Sequence, residues 1–223
     1  MKKIWIIANW KSNKNITEAL TWISEVGPHL RPREDIQIVV CPGFTELEEV
    51  HKSVLTGNFP IMVGSQDLSP FPPGAYTGEE SAQELVGLVQ LAILGHSERR
   101  LNFAETDEMI AQKVKQADKA GITPLVCVQS TQTPVPDGCR LVAFEPIEAI
   151  GSGQPDTPKD AEEVATSLKE RYGPDLTVLY GGSVESRNVG SFIKQPDISG
   201  VLIGGASLDA REFVKIVKIV YED

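Results

Sequence analysis

Glu145 stands in an unusual place. The four apolar residues Leu141, Val142, Ala143 and Phe144 read as a buried strand, and the chain then delivers a carboxylate, Pro146 and, a few residues on, Gly151-Ser152-Gly153. An acid where a strand stops, ahead of a loop built to move, suits proton transfer under a closing cover. Other strand ends supply partners. Asn9 and Lys11 follow the first apolar run, and His96, Ser97 and Glu98 follow a later one. Glycines close the last two runs, Gly181-Gly182 ahead of Ser183 and then Gly204-Gly205. A carboxylate, an imidazole, an ammonium and glycine N–H groups that can approach an anion closely describe a site for moving a proton on a small anionic substrate. A helix beginning near Ala206 would add its positive end to a bound phosphate. The other two histidines, His29 and His51, sit in helix or loop surroundings and receive no role.

These groups meet only if the strands that carry them end on one face. Eight short apolar runs, at 4–8, 36–41, 61–63, 91–94, 125–128, 141–144, 178–180 and 201–203, alternate with amphipathic stretches. The runs are continuous rather than alternating, as expected of parallel strands covered on both sides. Thr106 opens one helix, with Ile110, Val114 and Ala117 in register and Gly121 at its end. Thr157-Pro158 opens another, carrying Ala161, Val164, Ala165, Leu168 and Tyr172 and stopped by Gly173-Pro174. Thr45 with Glu48, and Ser81 with Glu84, fit capping boxes. A doubly wound sheet would carry a glycine-rich fingerprint after its first strand, but "ANWKSNK" has no glycine. Glycines after strands seven and eight are where βα barrels bind phosphate, so the pattern predicts an α/β eight-stranded parallel barrel, with residues 1–223 as one domain.

One crossing is too short. The segment "QSTQTPVPDGC" between the fifth and sixth strands holds two prolines and a glycine, so the fifth helix is expected to be absent or reduced to a loop.

Composition excludes whole classes. With 21 basic and 31 acidic residues the net charge is −10, and no basic run is interleaved with aromatics, which argues against nucleic acid. No apolar stretch reaches the roughly 18 residues of a membrane helix. Three cysteines without CxxC spacing suggest reduced thiols and a cytoplasmic chain.

"ANWKSNK", "ILGHSERR", "AFEPIEAIGSG", "LYGGSV" and "VLIGGASL" together resemble the triosephosphate isomerase family, and "GAYTGEES" resembles its third-strand loop. The pieces fall in order over essentially the whole chain. The resemblance implies the TIM barrel and a cofactor-free, metal-free interconversion of dihydroxyacetone phosphate and glyceraldehyde 3-phosphate through an enediolate. It implies Glu145 as the base, a neutral His96 as donor to the carbonyl oxygen, Lys11 and Asn9 as stabilisers of the developing charge, and Glu98 as the acid that orients Lys11, with Ser97 supporting. Gly151, Ser183, Gly204 and Gly205 match backbone phosphate donors, and residues 149–153 match the lid. A non-catalytic phosphosugar-binding barrel and a methylglyoxal-forming lyase are the alternatives.

Glu148 departs from the tryptophan usual at the family's lid hinge, and Gln129-Ser130 from its usual Gly-Glu, which puts lid kinetics in question. The loop from Ser69 to Ser81 is too long for a plain connection, which points to a homodimer whose neighbour it enters, and the resemblance puts Thr77 against the partner's Asn9 and His96. With no fifth helix, outward-facing Val142 and Phe144 would need other cover. A second dimer meeting there, with Val135 nearby, is the favoured expectation, giving a tetramer; a fold-back of the 130–139 loop is the alternative.

Overall fold

The computed structural model describes residues 2–146 and 156–222. Eight strands close into a parallel barrel in chain order: β1 (Ile4–Asn9), β2 (Ile36–Cys41), β3 (Met62–Ser65), β4 (Leu91–Leu94), β5 (Thr123–Val128), β6 (Leu141–Phe144), β7 (Thr177–Tyr180) and β8 (Ile198–Ile203), with β8 returning to β1. Around it lie α1 (Ile16–Val26), α2 (Phe44–Thr56), α3 (Ser97–Phe103), α4 (Asp107–Ala120), α5 (Pro158–Tyr172), α6 (Val189–Ile193) and α7 (Ala210–Glu222).

Alternation along each strand sorts the core into two clusters. Ile7, Val39, Leu91, Ile93, Leu125, Leu141, Leu179 and Leu202 fill the barrel, while Ile6, Val40, Leu94, Val126, Val142 and Val201 pack outward beneath the helices. Several strands run past their apolar cores. β1 includes Asn9, β3 is shifted to end on Ser65, and β8 starts at Ile198 through Ser199 and Gly200, because the ladder is made by backbone groups whatever the side chain. Gly200 has φ +141°, and a Cβ there would lie 2.1 Å from the Trp5 carbonyl oxygen, so only glycine lets β8 close against β1.

Thr106 and Thr157 cap α4 and α5 by accepting from the N–H groups of Met109 and Asp160. The two expected capping boxes are corrected. α2 starts earlier, with Gly43 at its cap and no side-chain bond, while Thr45 lies inside the helix and donates to Glu46. At Ser81 the N–H and hydroxyl both donate to Glu84, but a run of turns follows and no helix forms before Gly87 at φ +83°. The positive helix end expected near Ala206 is a 3-10 helix, Gly205–Leu208. The Trp22 Nε1–H donates to the Ser207 carbonyl at 2.9 Å and joins this turn to α1, where Trp22 also packs on Trp10 and Phe213.

No helix joins β5 to β6, as the prolines require. The expectation that Val142 and Phe144 wait for a second dimer is corrected in its premise. Val142 is fully buried and Phe144 is 5 % exposed within the single chain. Val135 packs against their cluster and Cys139 belongs to it. Two residues of α5 hold the loop down: the Tyr172 hydroxyl accepts from the Val135 N–H at 3.3 Å, and Arg171 Nη1 donates to the Thr131 carbonyl at 2.7 Å. The fold-back alternative is the one the chain adopts. It suffices because a loop need only exclude water from two side chains and satisfy its own backbone.

Candidate active site

The C-terminal ends of β1, β4, β6, β7 and β8 surround a cavity of about 190 Å³. Asn9, Lys11, His96, Glu145, Ser183, Gly204 and Gly205 all line it. Seven residues singled out from sequence are thus brought together.

The β1 end is under backbone strain. Lys11 has φ +54°, a left-handed conformation rare for a residue with a side chain. Three bonds hold it: its N–H donates to Asn9 Oδ1 at 3.0 Å, Gln66 Nε2 donates to its carbonyl at 2.8 Å, and its ammonium meets Glu98 Oε1 at 2.5 Å. Gln66 also donates to the Cys41 carbonyl, tying the turn to β2. Strain kept by so many contacts is how a turn aims a charged side chain inward.

The β4 end is a strand-to-helix corner. Gly95, at φ +67°, makes the turn, and a Cβ there would come within 2.6 Å of Ile110. His96 then caps α3, its Nδ1 accepting the Glu98 N–H at 3.2 Å. A nitrogen that accepts carries no proton, so the imidazole is neutral and its proton sits on Nε2. That Nε2–H points at Glu145 Oε1, 2.8 Å away.

Glu145 leaves β6 as the ladder ends, its own N–H still bonded to the Val128 carbonyl. Its side chain is 1 % exposed, and Oε2 accepts the Ser97 N–H at 3.0 Å. A Cβ on Gly181 would lie 3.0 Å from Glu145 Cγ, so glycine clears room for the carboxylate. Cys127 lies beneath; burial first and the Glu145 carboxylate second push its thiol well above the ordinary range. Its partners among the described residues, the His96 Nε2–H, the Ser97 N–H and the Cys127 thiol, are all neutral donors.

Ser97 and Glu98 do not line the cavity but touch residues that do, Ser97 through its N–H to Glu145 and Glu98 through the Lys11 ammonium. Thr77 lies outside it, exposed in the β3–β4 loop. Gly151, the 149–153 lid and Glu148 fall outside the described residues. Gly181, Gly182, Val184, Glu185, Leu202 and Ala206 also line the cavity without having been assigned. The glycine pair before Ser183 was the available signal for the first two; the others carry no pattern that distinguishes them. Among the described residues no group of three or more His, Cys, Asp or Glu side chains is placed to hold a metal ion.

Comparison with known proteins agrees with this geometry. The family model described as triosephosphate isomerase matches residues 4–220. Triosephosphate isomerases of Leifsonia xyli subsp. xyli (strain CTCB07) and Mesomycoplasma hyopneumoniae (strain 7448) are 38% and 37% identical, over 98% and 97% of this chain and 98% and 99% of theirs. The crystal structure of triosephosphate isomerase from Bartonella henselae superimposes with a TM-score of 0.85 at 28% identity, covering 99% of this chain and 100% of that one. Barrel, strand-end chemistry and near-complete coverage converge: the chain belongs to the triosephosphate isomerase family.

Proposed function

We propose that the chain interconverts dihydroxyacetone phosphate and D-glyceraldehyde 3-phosphate, as a glycolytic and gluconeogenic isomerase without a cofactor. The observation that carries this reading is the direct contact of Glu145 with a neutral His96 in the cavity that Lys11 and the glycine turns also line. Glu145 takes a proton from the substrate's terminal carbon, the electron pair moves toward the carbonyl, and an enediolate forms. The His96 Nε2–H and the Lys11 ammonium stabilise the charge growing on oxygen, and Asn9 supports Lys11. After a proton shifts between the two oxygens, Glu145 returns its proton to the neighbouring carbon. To begin, the carboxylate releases the Ser97 N–H and His96, which costs hydrogen bonds to neutral donors rather than the separation of an ion pair. Ser183, Gly204 and Gly205 supply backbone N–H groups to the phosphate, joined by Gly151 on the family pattern.

A coupled assay for glyceraldehyde 3-phosphate, run beside one for methylglyoxal, tests the reading. Isomerase turnover with little methylglyoxal is expected. Methylglyoxal as main product would make the chain a lyase, and neither product a binding barrel.

Residues 1–223 form one domain on this reading, since every strand belongs to one ring. No helix among the described residues is long and apolar enough to cross a membrane, and the three cysteines are free and buried, which supports a reducing, cytoplasmic setting. A homodimer through the 69–81 loop fits a surface groove beside the active site, lined by Lys11, Asn13, Thr45, Gln66 and Phe103, with Phe71 and Tyr76 stacked and half exposed on the loop. Thr77→Arg is expected to give inactive monomers by light scattering. An active monomer of either form would remove the dimer from the proposal.

A further inference from the structure

The charges around the cavity do not suit the substrate they would receive. Among the described residues, Lys11 brings one positive charge, Glu145 and Glu185 one negative charge each, and the neutral His96 none, so this part of the lining sums to 1 − 2 = −1. Lys11 is itself paired with Glu98. A phosphate dianion held by the backbone N–H groups of this cavity would meet Glu185, two residues after Ser183, as a like charge in the same lining. Glu185 is not bare, however. Its Oε2 lies 2.7 Å from Nε of Arg187, an exposed residue outside the lining.

That pair is not what shapes the turn. Asn188 Oδ1 accepts the Glu185 N–H at 2.8 Å, and Asn188 Nδ2 donates to the Ser183 carbonyl at 2.9 Å. From α7, Glu212 Oε1 accepts the Ser186 N–H at 2.8 Å. The backbone from Ser183 to Ser186 is thus clamped by Asn188 and Glu212, and the Glu185 side chain can lose its charge without moving it. A carboxylate on an anion-binding turn that the turn does not need for its shape requires another reason to be there.

We propose that Glu185 is a specificity-determining residue of the phosphate site and that Arg187 masks its charge, the pair setting how strongly the cavity takes a phosphate dianion. The inference rests on the cavity's being a phosphate site, as the proposed function has it. Unmasked, Glu185 repels the dianion; neutralised, it permits tighter binding than the native chain has. The effect is electrostatic, so it grows as salt is lowered and the screening length exceeds roughly 10 Å.

The test uses four full-length proteins: the native chain, Glu185→Gln, Arg187→Gln and the double variant. Inorganic phosphate is titrated by calorimetry at low and high salt, and kcat and KM are measured separately for the triose phosphate. Glu185→Gln is expected to tighten phosphate and lower KM by about threefold or more, and Arg187→Gln to weaken both by a similar factor, with the change falling on KM rather than kcat. In the Glu185→Gln background, Arg187→Gln should lose most of its effect. The proposal is overturned if Glu185→Gln fails to tighten phosphate, or if Arg187→Gln has the same effect with and without the Glu185 charge. Phosphate titration does not depend on turnover, so a chain that responds as expected but isomerises nothing would sink the proposed function and leave this inference standing.

Discussion

Glu145 and Glu105 are both 1 % exposed, and they are buried in opposite ways. Glu105 meets the ammonium of Lys113, itself 2 % exposed, which also meets both oxygens of Asp67 at 2.7 Å; Arg99 bridges the two acids from the surface side. Burial pushes the Asp67 carboxyl up, and Lys113 only partly offsets that. Glu105 Oε2 has no partner among the described residues, so even this network is incompletely satisfied. Glu145 by contrast is held, among the described residues, by neutral donors: an imidazole N–H, a backbone N–H and the Cys127 thiol. A carboxylate bound by a buried cation is locked, since separating them strands two charges in a poor solvent. One bound by neutral donors is stable enough to be found there and free enough to leave. The difference separates an acid that holds the fold from one that can act on a substrate.

The comparison breaks first at its catalytic end. Glu145→Gln should lower kcat by roughly a thousandfold or more, the upper part of the range for a positioned acid–base, while thermal stability barely moves. Activity within tenfold of native would show that the proton goes elsewhere. Lys113→Met is the converse, expected to cost about 3–5 kcal/mol in urea unfolding because Asp67 and Glu105 lose their shared cation. A cost below about 1 kcal/mol would mean that the two acids were never locked by charge.

A neutral bond elsewhere calibrates what Glu145 gives up. Tyr172→Phe removes the acceptor of the Val135 N–H on the helixless loop and should cost about 0.5–1.5 kcal/mol. A larger loss would mean that leaving neutral donors is harder than argued for Glu145. The smallest effect belongs to an acid near the surface. Asp197 is held below its ordinary value first by the Lys169 ammonium at 2.9 Å, which outweighs the opposing effect of burial, and then by Thr166. A carboxyl lowered on folding adds stability above its unfolded value near 3.8, and that stability is lost as pH falls through the folded value. Asp197→Asn should therefore flatten part of the acid limb of a stability–pH curve and change nothing resolvable near neutrality beyond a surface pair's usual few tenths of a kcal/mol. A steeper acid limb in the variant would reverse the sign assigned to this pair.

The strand ends were legible because each joins a period to an exception: an apolar run says where the side chain is carried, and the polar residue that ends it says what is carried. Glu145, His96 and Lys11 could be read this way, as could the missing helix, because proline forbids one. Lys113 could not. It sits beside Val114 on the buried face of α4, and sequence alone reads a lysine as solvated. Only the fold brings Asp67 and Glu105 to it from other segments. Gly43 as the cap of α2 was hidden because a glycine cap leaves no side-chain bond to anticipate, and the turns after Ser81 because a capping pair can close without a helix behind it. Glu185 was invisible for a simpler reason: a charged residue in a turn follows no period.

The ring closes by pairing Trp5 with Gly200 and Ala8 with Ile203, the first strand with the last. During synthesis β1 therefore has one edge without its partner until the chain has been made as far as β8. At about 5–20 residues per second, the nearly two hundred residues between them take on the order of 10–40 s, far longer than a hairpin needs to form. Throughout that interval β1 offers its backbone to any passing strand. Ribosome-bound chains halted before β8 should accordingly be good clients for chaperones, and chains halted just beyond it poor ones.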